Sequence, residues 1–280
     1  MSIITFWNNS KSGHIGQTSS LAAVATLMAV EHNYKILLIS TEIGDMELDK
    51  AYGVSENAAM KFLGLKEAKF NSGIEGVMKL ANSGRLTPQL IGDFTKIVLK
   101  NRLEVISGKK ETGEEENEKF DANDYPDVIK IANQYYDMVF VDLGRGLKSN
   151  LTRRILEASN LIICNMEQKI EEIEKIIELQ KQEEIINGKN VIYLLNRYEN
   201  NSKYNAKNII RNSRMKRELY TVPYDLMYSD ALQDGVVDQW MLNPRIRKAT
   251  IEEEHGFFIS QVSRFCEGII YKLQELHVLR

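Results

Sequence analysis

The residues best placed to do chemistry lie in a polar segment near the amino terminus, Asn8-Asn-Ser-Lys-Ser-Gly-His-Ile-Gly-Gln-Thr-Ser-Ser. It lies between an apolar run and an alanine-rich stretch, where a phosphate-binding loop joins a strand to a helix. Phosphates bind there because unpaired backbone N–H groups at a helix N-terminus converge on the anion. Gly16 and Thr18 match the template GxxxxGK[ST], whereas Lys11 replaces its first glycine and Gln17 its lysine. The segment therefore predicts a phosphate site without its usual lysine.

Two carboxylates stand where strands are expected to end. Glu42 follows the apolar run KILLIS, and Asp142 ends the apolar run MVFV. Ligands of open α/β folds collect at the carboxyl ends of the strands. Glu42 is therefore a candidate general base or water-positioning group, and Asp142 a candidate to hold a magnesium-bound water. The alternatives are an exposed loop carboxylate for Glu42 and a helix N-cap for Asp142.

Short apolar runs alternate with longer stretches of helical period, an order typical of a parallel sheet wrapped by crossover helices. Runs without polar interruption predict strands that are covered on both faces. We expect a doubly wound α/β fold with a mostly parallel sheet and helices on both faces. The predicted strands are Ile3–Trp7, Lys35–Ser40, Leu103–Ile106, Tyr136–Leu143, Asn160–Asn165 and Val191–Asn196.

Three stretches have the composition or the spacing of helices. Leu21–Val30 is rich in alanine and leucine. Gln168–Glu184 places isoleucines near one face but spans fewer than three heptads, which favours a docked surface helix over a coiled coil. Phe257–Leu276 is amphipathic, and its polar face has no cationic excess, which favours a packed core helix over a membrane-binding one.

The segment from Ser107 to Asp124 is highly charged and has almost no large apolar residues. This composition predicts an exposed, flexible loop near 107–124. Strands predicted on both sides of the loop are needed to complete one sheet. We therefore expect residues 1–280 to form a single domain.

The overall composition excludes several classes of protein. A chain of 280 residues with 43% hydrophobic residues can bury a large core, and its net charge of -3 argues against a surface wholly committed to nucleic acid. Cys164 and Cys266 lie far apart in apolar stretches, which indicates buried thiols, and the four histidines form no cluster. The amino-terminal residues lack the basic segment and the long apolar run of a signal peptide, and no stretch approaches the roughly 20 apolar residues of a membrane-spanning helix, so we expect neither. We expect a cytoplasmic protein, with peripheral association at a membrane or cell pole as a further possibility.

The loop resembles the deviant Walker A loops of the ParA/MinD ATPase family, which read roughly KGGxGK[ST]. In that alignment Gly13 takes the place of the first paired glycine and His14 that of the second, while Ser12 stands at the signature lysine with Lys11 one residue before it. The loop is most similar to those of TadZ-like pilus-assembly members, which look like HGQTGTTSN and have no lysine at the usual position. Gly13-His-Ile-Gly-Gln-Thr-Ser-Ser aligns with that form without gaps.

The resemblance extends over nearly the whole chain. Ile36–Gly53 is similar to the MinD-type switch I region, which implies that Glu42 orients the attacking water. Tyr136–Leu147 is similar to the strand and switch II that follow, which implies the Walker B role for Asp142 and a turn near the γ-phosphate for Gly144.

Two further segments resemble the base-binding side of the family. The resemblance of Leu194–Ile209 implies that Asn196 contacts the adenine. Val222–Gly235 is similar to the strand and helix beside the base. The resemblance implies ATP and Mg²⁺ as cofactors, with Thr18 and Asp142 holding the metal and with Glu42 and Asp142 as catalytic residues. The expected nucleotide-binding residues are Lys11, Ser12, Gly13, His14, Ile15, Gly16, Gln17, Thr18, Ser19, Asn196, Arg197, Pro223 and Tyr224.

By resemblance, the chain is expected to be an ATP-dependent switch that forms a homodimer and positions a pilus or secretion apparatus or a DNA segment, with slow hydrolysis. Gln17 in place of lysine removes one charged contact, worth roughly 1.5–3 kcal/mol. Lys11, or Arg145 or Lys148 of a second copy, is a candidate to supply the charge. The alternative is a pseudo-ATPase scaffold that has lost catalysis.

A basic segment, 203–217, follows the last predicted strand. Lys203, Lys207 and Arg211 have i, i+4 spacing, and Arg214, Lys216 and Arg217 follow without an intervening acidic residue. A helix here would carry a basic stripe able to contact DNA phosphates or anionic lipid headgroups without sequence specificity. A solvated helix face is the other interpretation, and the sequence leaves both open.

Overall fold

The computed structural model describes residues 1–11, 14–42, 44, 46–53, 73–108, 124–188, 190–213 and 219–278. Its strands are β1 (Ser2–Asn8), β2 (Ile36–Ser40), β3 (Thr95–Leu99), β4 (Leu103–Ile106), β5 (Met138–Asp142), β6 (Leu161–Glu167), β7 (Val191–Tyr198) and β8 (Leu219–Pro223). They form one sheet in the order β3-β4-β2-β5-β1-β6-β7-β8. Neighbouring strands run parallel except β3 and β4, which are antiparallel.

Helices cover both faces of this sheet. They are α1 (Gln17–Glu31), α2 (Glu47–Ala51), α3 (Ile74–Asn82), a 3-10 helix (Gln89–Phe94), α4 (Tyr125–Ala132), α5 (Asn150–Ala158), α6 (Ile170–Gln182), α7 (Glu184–Asn187), α8 (Ala206–Ser213), α9 (Leu226–Asp234), α10 (Val237–Leu242), α11 (Pro244–Arg247) and α12 (Glu254–Glu275). The first two and the last four pack on one face, and α3 to α8 pack on the other. The predicted doubly wound α/β fold is confirmed.

The alternation of side chains along the strands produces two cores. On β1, Ile4 and Phe6 face the core beneath α1 and α12, whereas Ile3 and Trp7 face the opposite core. Successive residues of a strand point to opposite faces, and here both faces are covered. Most residues of the central strands are therefore apolar, which is why these strands could be identified from the sequence.

The position of α1 matters most for the site. Its alanines and leucines are buried along nearly the whole helix, between the sheet and α12. Small side chains allow this close approach of helix to sheet. The N-terminus of α1 is consequently held at the carboxyl edge of the central strands, where Asp142 at the end of β5 pairs in register with Phe6 of β1.

Element boundaries differ from the predictions in a few places. The helix predicted over Leu21–Val30 begins four residues earlier, at Gln17, and the antiparallel edge strand β3 was not predicted. Cys164 and Cys266 are buried thiols as predicted, and burial raises the pKa of both. Residues 109–123 of the charged segment lie outside the described residues. No helix in the described part of the chain is long and apolar enough to cross a membrane.

The C-terminal helix α12 packs as the sequence predicted. Its apolar stripe is buried against α1 and β8 rather than presented to solvent. The buried members of the stripe are Phe258, Val262, Phe265, Ile269 and Leu273.

Truncation of Phe265 tests this packing. Its ring centroid lies 5.2 Å from that of Tyr220 and 6.4 Å from that of Phe6, and the side chain is fully buried. We expect Phe265→Ala to lower the free energy of unfolding by roughly 3–5 kcal/mol, measured by urea denaturation. The exposed neighbour Arg264→Ala is the control, with a change within about 0.5 kcal/mol. Equal effects of the two substitutions would contradict the packed position of α12.

Candidate functional site

The turn between β1 and α1 leads into a helix N-terminus that no side chain of the described residues caps. Gly16 precedes the helix with φ 80° and ψ 21°, a left-handed conformation that glycine adopts without strain. The fifteen-residue helix α1 directs the positive end of its dipole to this point. Uncapped N–H groups and the dipole together favour an anion. Ser12 and Gly13, which were predicted to belong to this loop, lie outside the described residues.

A hydroxyl and a carboxylate meet directly beneath this turn. Thr18 Oγ1 donates a hydrogen bond of 2.6 Å to Asp142 Oδ2. Both side chains are largely buried at the carboxyl edge of β1 and β5. An alcohol paired with a carboxylate is a donor set of hard oxygens, which is what Mg²⁺ prefers, so these residues fit a magnesium ion.

The side chain of Gln17 points into the fold. Its Nε2 donates to Asp142 Oδ1 at 2.6 Å and also approaches the carbonyl oxygens of Leu143 at 2.9 Å and Phe6 at 3.1 Å. Its Oε1 accepts a hydrogen bond of 2.9 Å from Asn8 Nδ2. The amide thus joins the ends of β1 and β5 to the first turn of α1. Its backbone N–H stands at the helix N-terminus, while its side chain serves the internal network.

A second buried network supports the other side of the loop. Ser20 Oγ donates to Asn196 Oδ1 at 2.7 Å, and Asn196 Nδ2 donates to Asn165 Oδ1 at 3.2 Å. Asn165 in turn donates to the carbonyls of Ile163 and Trp7. Asn196 is 1% exposed, so its amide is committed to this chain of hydrogen bonds. Its expected contact with adenine is a prediction that these contacts leave untested.

The two segments compared with switch regions lie beside the loop. Glu42 is exposed just beyond β2, and a Cβ built on Gly144 would lie 3.0 Å from Glu42 Oε1. Gly146 N donates to Asn8 O at 2.9 Å, and Trp7 Nε1 donates to Gly146 O at 2.8 Å. The segment after β5 is thereby fixed to β1, and Glu42 packs closely on Gly144.

Two cavities flank the turn, and they share four residues at the N-terminus of α1 and on α2. The smaller, of about 200 Å³, contains the predicted catalytic and metal-binding groups Glu42, Asp142 and Thr18. The larger, of about 320 Å³, extends toward β8 and α9. The residues common to both are His14, Gly16, Thr18 and Glu47.

The larger cavity brings together the residues predicted to lie beside a base. Arg197, Pro223 and Tyr224 line it along with Ser19. The adjoining turn is rigid because Asp225 caps α9 through Tyr228 N at 2.8 Å. Burial raises the pKa of Tyr228 well above its ordinary value, so its hydroxyl stays protonated and donates to Ser19 O at 2.7 Å.

Other predicted loop residues have less direct positions. Ile15 is buried under the turn, whereas His14 is exposed with its Nδ1 3.1 Å from Glu47 Oε1. Lys11 lies on the far side of the loop, where it lines a cavity of about 600 Å³ with Arg145 and Lys148. The structure therefore gathers most of the predicted residues around one turn, whereas Lys11 lines neither of the two cavities that flank it.

The side chains of Asn8, Ser20 and Asn165 connect the networks, although no individual role was predicted for any of them. A signal was available, because Asn8 and Asn165 are polar residues at or near the carboxyl ends of the mostly apolar strands β1 and β6. Polar groups at the carboxyl ends of parallel strands mark the site edge of an open α/β sheet.

The basic segment forms a helix later than predicted. Asn205 Oδ1 accepts from Asn208 N at 3.0 Å, and α8 begins at Ala206, so Lys203 precedes the helix. Lys207 and Arg211 are exposed on it. Arg214, Lys216 and Arg217 lie outside the described residues, so the full stripe is a prediction.

Comparison with solved structures identifies the fold class. A ParA family ATPase from Chlorobium tepidum superposes with a TM-score of 0.67 at 16% identity, over 95% of this chain and 98% of that one. MinD from Pyrococcus horikoshii, complexed with Mg-ADP, superposes with a TM-score of 0.63 at 16% identity, over 96% of this chain and 98% of that one. A putative plasmid partition protein from Borrelia burgdorferi, bound to AMPPNP, superposes with a TM-score of 0.57 at 16% identity, over 98% of each chain.

Searches with protein-family models and with curated protein sequences find no match to the chain. At identities this low, structural likeness establishes the fold. The fold is that of the ParA/MinD-type P-loop NTPases, and the structural neighbours are ATPases of that family.

The inward position of Gln17 predicts how substitutions there change stability. Gln17→Met removes the amide contacts with Asp142, Leu143, Phe6 and Asn8, and we expect the loss of these buried hydrogen bonds to cost roughly 3 kcal/mol or more in the free energy of unfolding. Gln17→Lys supplies three N–H donors to the same carboxylate and carbonyls, so we expect it to lower the free energy of unfolding by less than the methionine does. Chemical denaturation measures both. A methionine variant as stable as the unchanged protein would show that the side chain does not hold these strands together.

Proposed function

We propose that the chain is an ATP- and magnesium-dependent molecular switch similar to the TadZ-like members of the ParA/MinD family. ATP binding at the turn between β1 and α1 promotes a homodimer, which positions a pilus or secretion apparatus or a DNA segment. Hydrolysis is slow. Residues 1–280 act as one domain, and the loop is a deviant phosphate loop without its lysine.

One observation carries this proposal above the others. Thr18 donates to Asp142 directly beneath the uncapped N-terminus of α1. These contacts support an anion site at Gly16 and magnesium ligands within the same first turn of α1. The nucleotides in the titles of two structural neighbours, Mg-ADP and AMPPNP, support the choice of ligand.

Each residue has a distinct part in the proposed switch. The backbone N–H groups after Gly16 bind phosphate, and Asp142 with Thr18 holds the metal through oxygen ligands. Bound magnesium offsets charge on the phosphate oxygens. Glu42, on the same cavity, orients a water for attack, and its contact with Gly144 links the two switch segments.

The rival proposal is a scaffold that binds nucleotide without turning it over. The inward side chain of Gln17 favours it, because no cation stands at the lysine position of the loop. Steady-state phosphate release with ATP and magnesium separates the two. Release that Glu42→Ala abolishes supports an enzyme, whereas ATP binding without any release supports the scaffold. Binding to DNA through the basic segment 203–217, without nucleotide, ranks third.

Gly16→Val tests the phosphate turn. At φ 80° any side chain strains the backbone, and a Cβ would lie 3.4 Å from Arg197. We expect the substitution to abolish ATP binding in calorimetry. Gly84→Val is the matched control, because Gly84 also has a positive φ of 66° but, among the described residues other than its chain neighbours, no heavy atom within 4 Å of its Cβ position. Unchanged ATP affinity in the Gly16 variant would refute the loop assignment.

Asp142→Ala tests the metal role. If the carboxylate acts through the ion, the substitution weakens ATP binding with magnesium more than without it. Calorimetric titrations with ATP in magnesium and in a chelator give the two affinities. Equal losses under both conditions would show that Asp142 acts through structure alone.

A further inference from the structure

Arg197 has a backbone conformation that is uncommon for arginine. Its φ is 49°, in the left-handed region, and it stands where the register between β7 and β8 shifts. Asn196 pairs with Val222 and Tyr198 with Pro223, which leaves Arg197 as an extra residue. Such a bulge re-aims a side chain, and here the arginine is exposed between two buried neighbours.

The bulge brings Arg197 against the phosphate turn. A Cβ built on Gly16 would lie 3.4 Å from both Cγ and Nε of Arg197, so the arginine side chain packs closely beside the backbone of Gly16. Arg197 lines the same cavity as Thr18 and Ser19. A guanidinium group therefore reaches the loop from β7, a strand remote from it in sequence.

The charges at this position call for an anion. The N-terminus of α1 carries the positive end of the helix dipole, and an arginine beside it is of like sign. Within the described ranges, the ion pairs do not include Arg197. A phosphate held between the helix and the guanidinium would satisfy both.

Other candidates for the cation are less well placed. The side chain of Gln17 is neutral and bonded inward, and Lys11 lines the cavity on the far side of the loop. Arg145 lies beside the metal-side cavity with Glu42 and Asp142, away from the base. Arg197 contacts the turn itself, on the side that leads toward the base.

We propose that Arg197 supplies the cation that neutralises the phosphates of a bound nucleotide, in place of the missing loop lysine. The proposal rests on the proposed function and names the residue that completes its site. Because Arg197 lies on the base side of the turn, its contact involves phosphates that ADP and ATP share. An Arg197 contact is therefore expected for both nucleotides.

The test compares variants that separate charge from backbone. Arg197→Asn removes the charge, while asparagine tolerates the left-handed conformation. Loss of one charged hydrogen bond predicts a rise in Kd of roughly tenfold or more for both ADP and ATP. Arg197→Lys keeps the charge and recovers part of the affinity. The exposed Arg85→Asn, remote from the cavities in sequence, controls for net charge, and melting temperatures confirm that each variant folds.

Calorimetry with ADP and with ATP gives outcomes that can be told apart. Parallel losses for both nucleotides in Arg197→Asn, with less steep dependence of Kd on added salt, support the proposal. Arg145→Gln provides the contrast, because loss of a contact on the metal side is expected to weaken the binding of ATP more than that of ADP. Unchanged affinity in Arg197→Asn overturns the role of Arg197 and leaves the proposed function intact. If the unchanged protein binds neither nucleotide, the role of Arg197 and the proposed function are both refuted.

Discussion

The buried carboxylate of Asp142 is the constraint on which the site depends. A carboxylate so poorly exposed must be hydrogen-bonded, and Thr18 and Gln17 each donate to one of its oxygens at 2.6 Å. These contacts tie β5, in the middle of the sheet, to the first turn of α1. The uncapped turn, the metal-side cavity and the segment after β5 all take their positions from this connection.

The connection is made with neutral donors. A lysine at position 17 would place a second charge beside Asp142, and a buried ion pair must offset the desolvation of both partners. Gln17 and Asn8 instead form a satisfied amide network, matched by the chain of Ser20, Asn196 and Asn165 on the other side. Such an arrangement joins the first turn of α1 to the strands through neutral groups, and in our proposal a residue outside the loop supplies the charge for phosphate.

The sequence predicts the fold well because its central strands are covered on both faces and consist largely of apolar residues. It misses β3, whose Thr95–Leu99 stretch is half-buried at the sheet edge and mixes polar with apolar residues. The sequence locates Gln17 near the start of the helix but cannot give the direction of its side chain. Its acceptor on β5, Asp142, lies 125 residues away. The bulge at Arg197 depends on the register with β8 and leaves no local signal in the sequence.

A crystal structure grown with a non-hydrolysable ATP analogue and magnesium tests most directly whether the turn at Gly16 is a nucleotide site. We expect the phosphates at the N-terminus of α1, a metal beside Thr18 and Asp142, and the base in the cavity lined by Pro223 and Tyr224. Gln17 should keep its contact with Asp142. A nucleotide bound elsewhere, or a turn that stays without nucleotide at saturating analogue, would contradict this account.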